Sequence, residues 1–96
     1  MLVGYARVST EEQNEARQIK ALQEQGAEKI FTDKRSGKNI DRKALKEMLD
    51  YVREGDTVIT ESISRIARST RDLLSIIDLL NHKKVNFISI INMANK

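Results

Sequence analysis

The stretch YARVSTEEQN, residues 5 to 14, places an arginine two positions before a serine, where an apolar run gives way to polar residues. If residues 2–8 form a strand, side chains alternate along it, so Arg7 and Ser9 share a face roughly 7 Å apart. A second stretch, SISRIARST, carries Arg65 and Arg68. Three residues apart, these two lie on one face if the stretch is a helical turn. Guanidinium groups grip phosphate oxygens through paired N–H bonds, which an ammonium group cannot do. A serine hydroxyl inside such a clamp suits attack on a phosphodiester. The arginines would lower the hydroxyl pKa and stabilise charge building up on the phosphorus oxygens.

Each piece also has a plain structural reading. Ser9 with Glu12 fits the S-x-x-E capping box, and Thr10 with Gln13 fits the same pattern one residue later. Two caps compete for one helix start, and if Thr10 caps, the Ser9 hydroxyl is released. The second stretch taken by itself reads as an amphipathic turn with two solvated arginines and with Ile63, Ile66 and Ala67 turned to the core. On spacing alone the structural readings are the stronger ones; the chemistry requires that the two arginine-bearing loops meet.

The elements that must bring them together follow from the hydrophobic pattern. Residues 2–8 read as a strand, and 11–25 as a helix with Ala16, Ile19 and Leu22 at helical spacing and Gly26 as its stop. KIFT, 29–32, reads as a second strand, followed by a polar loop over 33–39. Asp41 is placed to cap a helix over about 42–53, whose apolar stripe is Ala44, Leu45, Met48, Leu49 and Val52 and whose end is Gly55. TVIT, 57–60, is a third strand, 70–82 a helix buried through Leu73, Ile76, Ile77 and Leu80, and VNFISII, 85–91, a fourth strand. Alternation of this kind predicts an α/β fold, a mostly parallel sheet of about four strands flanked by helices. In such sheets ligands collect at the carboxyl ends of the strands. Arg7 to Thr10, Asp33 to Asn39 and Glu61 to Thr70 all fall there.

Composition narrows the class. With 96 residues the chain forms one domain, able to bury roughly 60–68% of the surface its unfolded form exposes. Aromatics are only 4% and Trp is absent, so Leu, Ile, Val and Ala must build the core. The absence of cysteine excludes disulfides and thiolate metal sites. The N-terminal apolar run is too short for a signal peptide or a membrane span and carries Arg7, so a cytoplasmic protein is expected. A net charge of +3 favours nucleic acid among charged partners without establishing it.

Taken in order and spacing, GYARVSTEEQ, FTDKRSGK, DRKAL, GDTVI and SRIARS resemble the serine recombinases, the resolvases and DNA invertases. The resemblance runs from Leu2 to about Ser89, and the Y-x-R-V-S-T opening joined to the later R-x-x-R makes it specific. It implies a resolvase-like catalytic domain in which Ser9 attacks duplex DNA and becomes joined to a 5′ phosphate. Arg7, Arg65 and Arg68 match arginines that hold and activate the scissile phosphate, and Arg42 matches a further active-site arginine. Gln13 matches a polar residue near the nucleophile, with a capping role equally open. The resemblance implies neither metal nor cofactor, and other recombinase subunits as partners, in a dimer and in a tetramer at synapsis.

The chain departs from the family in two places. Ser64 stands where many members carry Asp before the first arginine of the pair, which leaves open the acid for the departing 3′ oxygen, Arg68 being a candidate. The last strand ends in SIINMANK rather than in acidic residues and an Asp-Thr pair. Residues 1–96 are therefore expected to be a truncated catalytic domain, without the family's long dimer helix and C-terminal helix-turn-helix. Two rivals remain: an inactive fragment that only binds sibling subunits, and a flavodoxin-like or receiver-like binding domain. A receiver needs paired acids after its first strand, and YARVST has none. A flavin binder leaves four arginines unexplained.

Overall fold

A computed structural model describes residues 1–9, 15–36, 39–40 and 42–91. In chain order the elements are β1 (Leu2–Ser9), α1 (Glu15–Glu24), β2 (Lys29–Ser36), β3 (Asn39–Ile40), α2 (Lys43–Tyr51), β4 (Thr57–Thr60), α3 (Ile63–Ile66), α4 (Thr70–His82) and β5 (Asn86–Ser89). The sheet has the order β3-β2-β1-β4-β5. β1, β2, β4 and β5 run parallel, and the two-residue β3 pairs antiparallel with β2 at one edge.

The chain thus begins at the centre of the sheet, builds outward to β2 and β3, and then crosses back to β4 and β5. Between β1 and β4 the direction of winding reverses. Their carboxyl ends open the crevice in which parallel α/β sheets place their sites, and Ser9 and Glu61 stand at its two rims.

Alternation along β1 divides the core. Val3 and Tyr5 join Leu45, Met48 and Val52 of the α2 region, Ile66 and Ala67 at α3, and Ile76 and Leu80 of α4 in one cluster. Ala6 packs with Leu22 of α1 and with Ile59 in a second cluster on the other face. Gly4 lies on that second face, where a Cβ would come within 3.2–3.3 Å of Ile30, Ala27 and Leu22. A glycine there lets α1 sit close against the central strand. Gly26, at φ +99°, takes the left-handed conformation that ends α1, as expected from its place.

Three boundaries differ from the sequence reading. The segment from Asp33 was expected to be loop, yet β2 continues to Ser36 because β1 itself runs on to Ser9 and supplies partners as far as Arg35. Residues 39–40 then return as β3, which adds a fifth strand to the expected four. At the other end, residues 85–91 were expected as strand, but β5 stops at Ser89, opposite the last residue of β4. Residues 90 and 91 are helical, with the Ile91 N–H bonded to the Glu61 carbonyl at 3.0 Å. The start of the first helix, the competition between Ser9 and Thr10 for its cap, and the Asp41 cap lie outside the described residues. Among the described residues no helix is long and apolar enough to cross a membrane.

Candidate phosphate-binding active site

β1 carries the first functional group to the crevice. Arg7, half-buried and two residues before the end of β1, is paired in register with Asp33 of β2, and Ser9 with Arg35. The Arg7 guanidinium reaches across the crevice and donates from Nη2 to the Ser64 carbonyl at 2.5 Å. This joins the end of the central strand to α3, so the two arginine-bearing loops do meet. From the opposite face, buried Gln18 of α1 donates to the Arg7 carbonyl at 3.3 Å. The strand end is therefore held from both sides of the sheet.

Arg65 and Arg68 do not share one helical face. α3 closes after a single turn, and Ala67 is extended at φ −127°, ψ 146°. Ile66 and Ala67 turn to the core as expected, while Ile63 is half-buried. This extended residue carries Arg68 beyond the turn that holds Arg65. Arg65 lies 3.9 Å from Glu61, which also pairs with Arg17 of α1 at 2.9 Å. Arg68 sits at the entry to α4, and its backbone N–H donates to Asp72 Oδ2 at 2.9 Å. The same Oδ2 accepts from Arg42 Nη1 at 2.8 Å, and Arg42 Nη2 donates to the Ile66 carbonyl at 3.3 Å. Arg42 and Arg68 thus line one groove of about 710 Å³, together with Lys43, Lys46 and the carboxylate of Asp72. Burial works against the charge on Asp72, but the Arg68 N–H and the Arg42 guanidinium outweigh it and hold the carboxyl below its ordinary range.

Asp33 explains how Arg42 arrives there. Its Oδ1 accepts the Ala44 N–H at 2.7 Å, and its Oδ2 accepts the Leu45 N–H at 3.0 Å and the Tyr5 hydroxyl at 2.6 Å. A carboxylate from a neighbouring strand caps the first turn of α2, which favours negative charge, and so fixes the helix start beside β1. Burial, reinforced by the bond and charge of Asp33, pushes the Tyr5 phenol far above its ordinary value, against the pull of Arg7 and Arg42. Asp33→Ala strands three donors and should cost about 3–5 kcal/mol. Chemical denaturation checks this, and a loss under about 1 kcal/mol would show that water replaces the carboxylate.

Of the residues singled out in the sequence, Arg7, Arg42, Arg65 and Arg68 fall along the carboxyl edge of the sheet, with Ser9 at the end of β1. Gln13 lies outside the described residues. Asp33, Asp72, Glu61 and Gln18 were not singled out. Asp72 had a signal, since Ser69 and Asp72 form an S-x-x-D pattern, and Ser69 Oγ does accept the Asp72 N–H at 3.2 Å. Asp33 had almost none, because a lone acid in a polar stretch looks solvated until β2 buries it to 2% exposure.

A mostly parallel sheet wound outward from its centre, with a serine-ended strand and arginines from three other segments along its carboxyl edge, defines an α/β domain with a cluster of arginines where its winding reverses. This chain belongs to the resolvase family: residues 2–95 match the family model described as the resolvase N-terminal domain. It is 47% identical over 90 residues to the transposon Tn917 resolvase of Enterococcus faecalis, an alignment covering 94% of this chain and 49% of that protein. It is 44% identical to the DNA-invertase of Escherichia phage P1, covering 94% of this chain and 48% of the invertase. A resolvase family site-specific recombinase from Streptococcus pneumoniae has the same fold, with a TM-score of 0.72 at 24% identity over 95% of this chain and 72% of that one. The chain spans about half the length of the two curated relatives.

Proposed function

We propose that this chain is the catalytic domain of a serine site-specific recombinase that cuts and rejoins duplex DNA by transesterification. The Ser9 oxygen attacks phosphorus, the bond to the 3′ oxygen breaks, and a 5′-phosphoserine ester forms. The hydroxyl proton leaves Ser9, and a proton is gained by the departing 3′ oxygen. One phosphodiester replaces another, so rejoining needs no nucleotide. Arg7 sits two residues before Ser9 on the same strand, and Arg65 and Arg68 follow on the opposite rim. With Arg42 they are the groups assigned to hold the phosphate and to meet charge developing on its oxygens. Gln13 is assigned to the surroundings of the nucleophile.

The observation that carries this reading is the Arg7–Ser64 bond, which draws the Ser9-bearing strand end against the α3 turn that presents Arg65. In a protein of the relatives' full length, specific DNA binding and pairing into dimers and synaptic tetramers, in the cytoplasm, belong to the same proposal. A formal charge of +3 gives the chain few phosphate contacts of its own, so its own DNA affinity is expected to be weak and lost at modest salt.

The test uses a protein of full recombinase length carrying these residues and a nicked DNA duplex from which cleaved product diffuses away. A covalent adduct should accumulate. After digestion with trypsin, the nucleotide should sit on the peptide VSTEEQNEAR, residues 8–17, at Ser9. Modification at Thr10, or no adduct with a DNA that is bound, would overturn the assignment.

A further inference from the structure

Arg42 and Arg68 reach the groove from two chain segments whose apolar neighbours, Leu45 and Ala67, share one core cluster, but core packing does not set the plane of a guanidinium. Arg42 immediately precedes α2, whereas Arg68 lies between α3 and α4. One atom joins them: Asp72 Oδ2 accepts the Arg42 guanidinium at 2.8 Å and the Arg68 backbone N–H at 2.9 Å. Both partners of the ion pair are largely shielded, with side-chain exposures of 16% for Arg42 and 21% for Asp72. Shielding of this degree makes the pair more than a surface contact whose geometry wanders.

A cap at the start of α4 accounts for only part of this. Ser69 Oγ accepts the Asp72 N–H, and Asp72 returns a bond to the backbone just before the helix, much as a capping box does. Capping gives no reason for the second bond, which crosses 30 residues of sequence to Arg42. The second Arg42 nitrogen is meanwhile bonded to the Ile66 carbonyl, in the segment that leads to Arg68. The Arg42 guanidinium is therefore fixed in plane by two acceptors, the last carbonyl of α3 and a carboxylate in the first turn of α4.

We propose that Asp72 is a positioning residue: it locks Arg42 and the Arg68 segment into one arrangement along the groove, and it acts on catalysis through Arg42. The proposal rests on the reading of Arg42 as a phosphate-holding group. An arginine whose plane is set before DNA arrives spends less of its interaction on being ordered. A displacement of about 1 Å in such a group costs up to about a hundredfold in rate.

The experiment compares Asp72→Ala, Asp72→Asn, Arg42→Ala and the Arg42→Ala/Asp72→Ala double variant in a protein of full recombinase length. Single-turnover formation of the covalent adduct is measured at saturating DNA, beside DNA affinity and thermal melting. Asp72→Ala should slow adduct formation about tenfold or more at saturation, with affinity nearly unchanged. The double variant should be no slower than Arg42→Ala alone, because the orientation of Arg42 is the route by which Asp72 acts on the rate, and the bond to the Arg68 backbone N–H that remains is a cap of α4.

Asp72→Asn keeps an oxygen for the Arg68 N–H but loses the charge that holds Arg42, and should fall between wild type and alanine. If Asp72→Ala melts below the assay temperature, Asp72→Asn carries the test, with a loss of about threefold or more expected at unchanged melting. A wild-type rate for Asp72→Asn in that case, or for Asp72→Ala where it is folded, while Arg42→Ala is impaired, would overturn the positioning role and leave the phosphate reading standing. Losses that multiply in the double variant would overturn action through Arg42. An Arg42→Ala variant at the wild-type rate would overturn the phosphate reading itself, and this proposal with it.

Discussion

Ser9→Ala, in a protein of full recombinase length, should form no covalent DNA adduct while folding and binding DNA as the parent does. The expected fall in cleavage is a factor of about 10⁴ or more, the scale on which removal of a nucleophile is felt in enzymes that use one. The rival reading of Ser9 as a helix cap predicts the opposite pattern. Losing a cap costs about 0.5–2 kcal/mol and leaves chemistry untouched. Thr10 with Gln13 offers a second capping pair one residue on, so even that cost should be softened. Thermal melting and adduct formation measured on the same preparation separate the two outcomes. An alanine variant that melts early yet cleaves at the parental rate would remove Ser9 as the nucleophile. One that keeps its melting temperature and loses all adduct would leave the cap without support.

Whether such a prediction can be made from sequence depends on how locally each feature is encoded. The strands and helices were legible because apolar residues recur at the periods that bury one face: Leu45 and Met48 line up on α2, with Val52 just past its end, and Ile76 and Leu80 on α4. The sheet order was not, because alternation of elements fixes parallel pairing but not which strand lies at the centre. Boundaries failed where pairing decides them. β2 outlasts its apolar residues because β1 supplies a partner as far as Ser9, and β5 ends early because β4 ends at Thr60.

Arg7, Arg65 and Arg68 stood out by type and spacing and Arg42 through the family resemblance, but the groups that hold them did not stand out. Asp33, Glu61 and Asp72 are single acids in polar stretches; Glu61 meets Arg65 at i,i+4, but only the tertiary fold brings Asp33 to α2, Glu61 to Arg17 and Asp72 to Arg42. The expected shared face of Arg65 and Arg68 failed for a related reason. A turn of four residues gives i and i+3 a common face only while it continues, and Ala67 leaves it.

That separation sharpens what replacing each arginine with lysine should do. Lysine keeps the charge and reaches a similar distance, but it replaces a planar fork with a single ammonium. At a solvated position this change is worth no more than about 0.5 kcal/mol and has no consequence for rate. At a position that grips phosphate through two N–H bonds it removes part of the charge stabilisation in the transition state, a loss of about a hundredfold in cleavage.

Arg65→Lys and Arg68→Lys should therefore lower single-turnover cleavage strongly with melting temperatures close to the parent. Arg42→Lys should differ in kind. Arg42 spends one nitrogen on Asp72 and another on the Ile66 carbonyl, and one ammonium cannot span both in the same geometry. Its replacement should cost about 1 kcal/mol of stability as well as rate. The pattern across the three, rather than any one value, carries the test. Equal, small effects on rate in all of them would mean that the arginines are surface charge and that no phosphate clamp exists at this edge. A rate loss confined to Arg42→Lys and matched by its loss of stability would assign that residue to the fold alone.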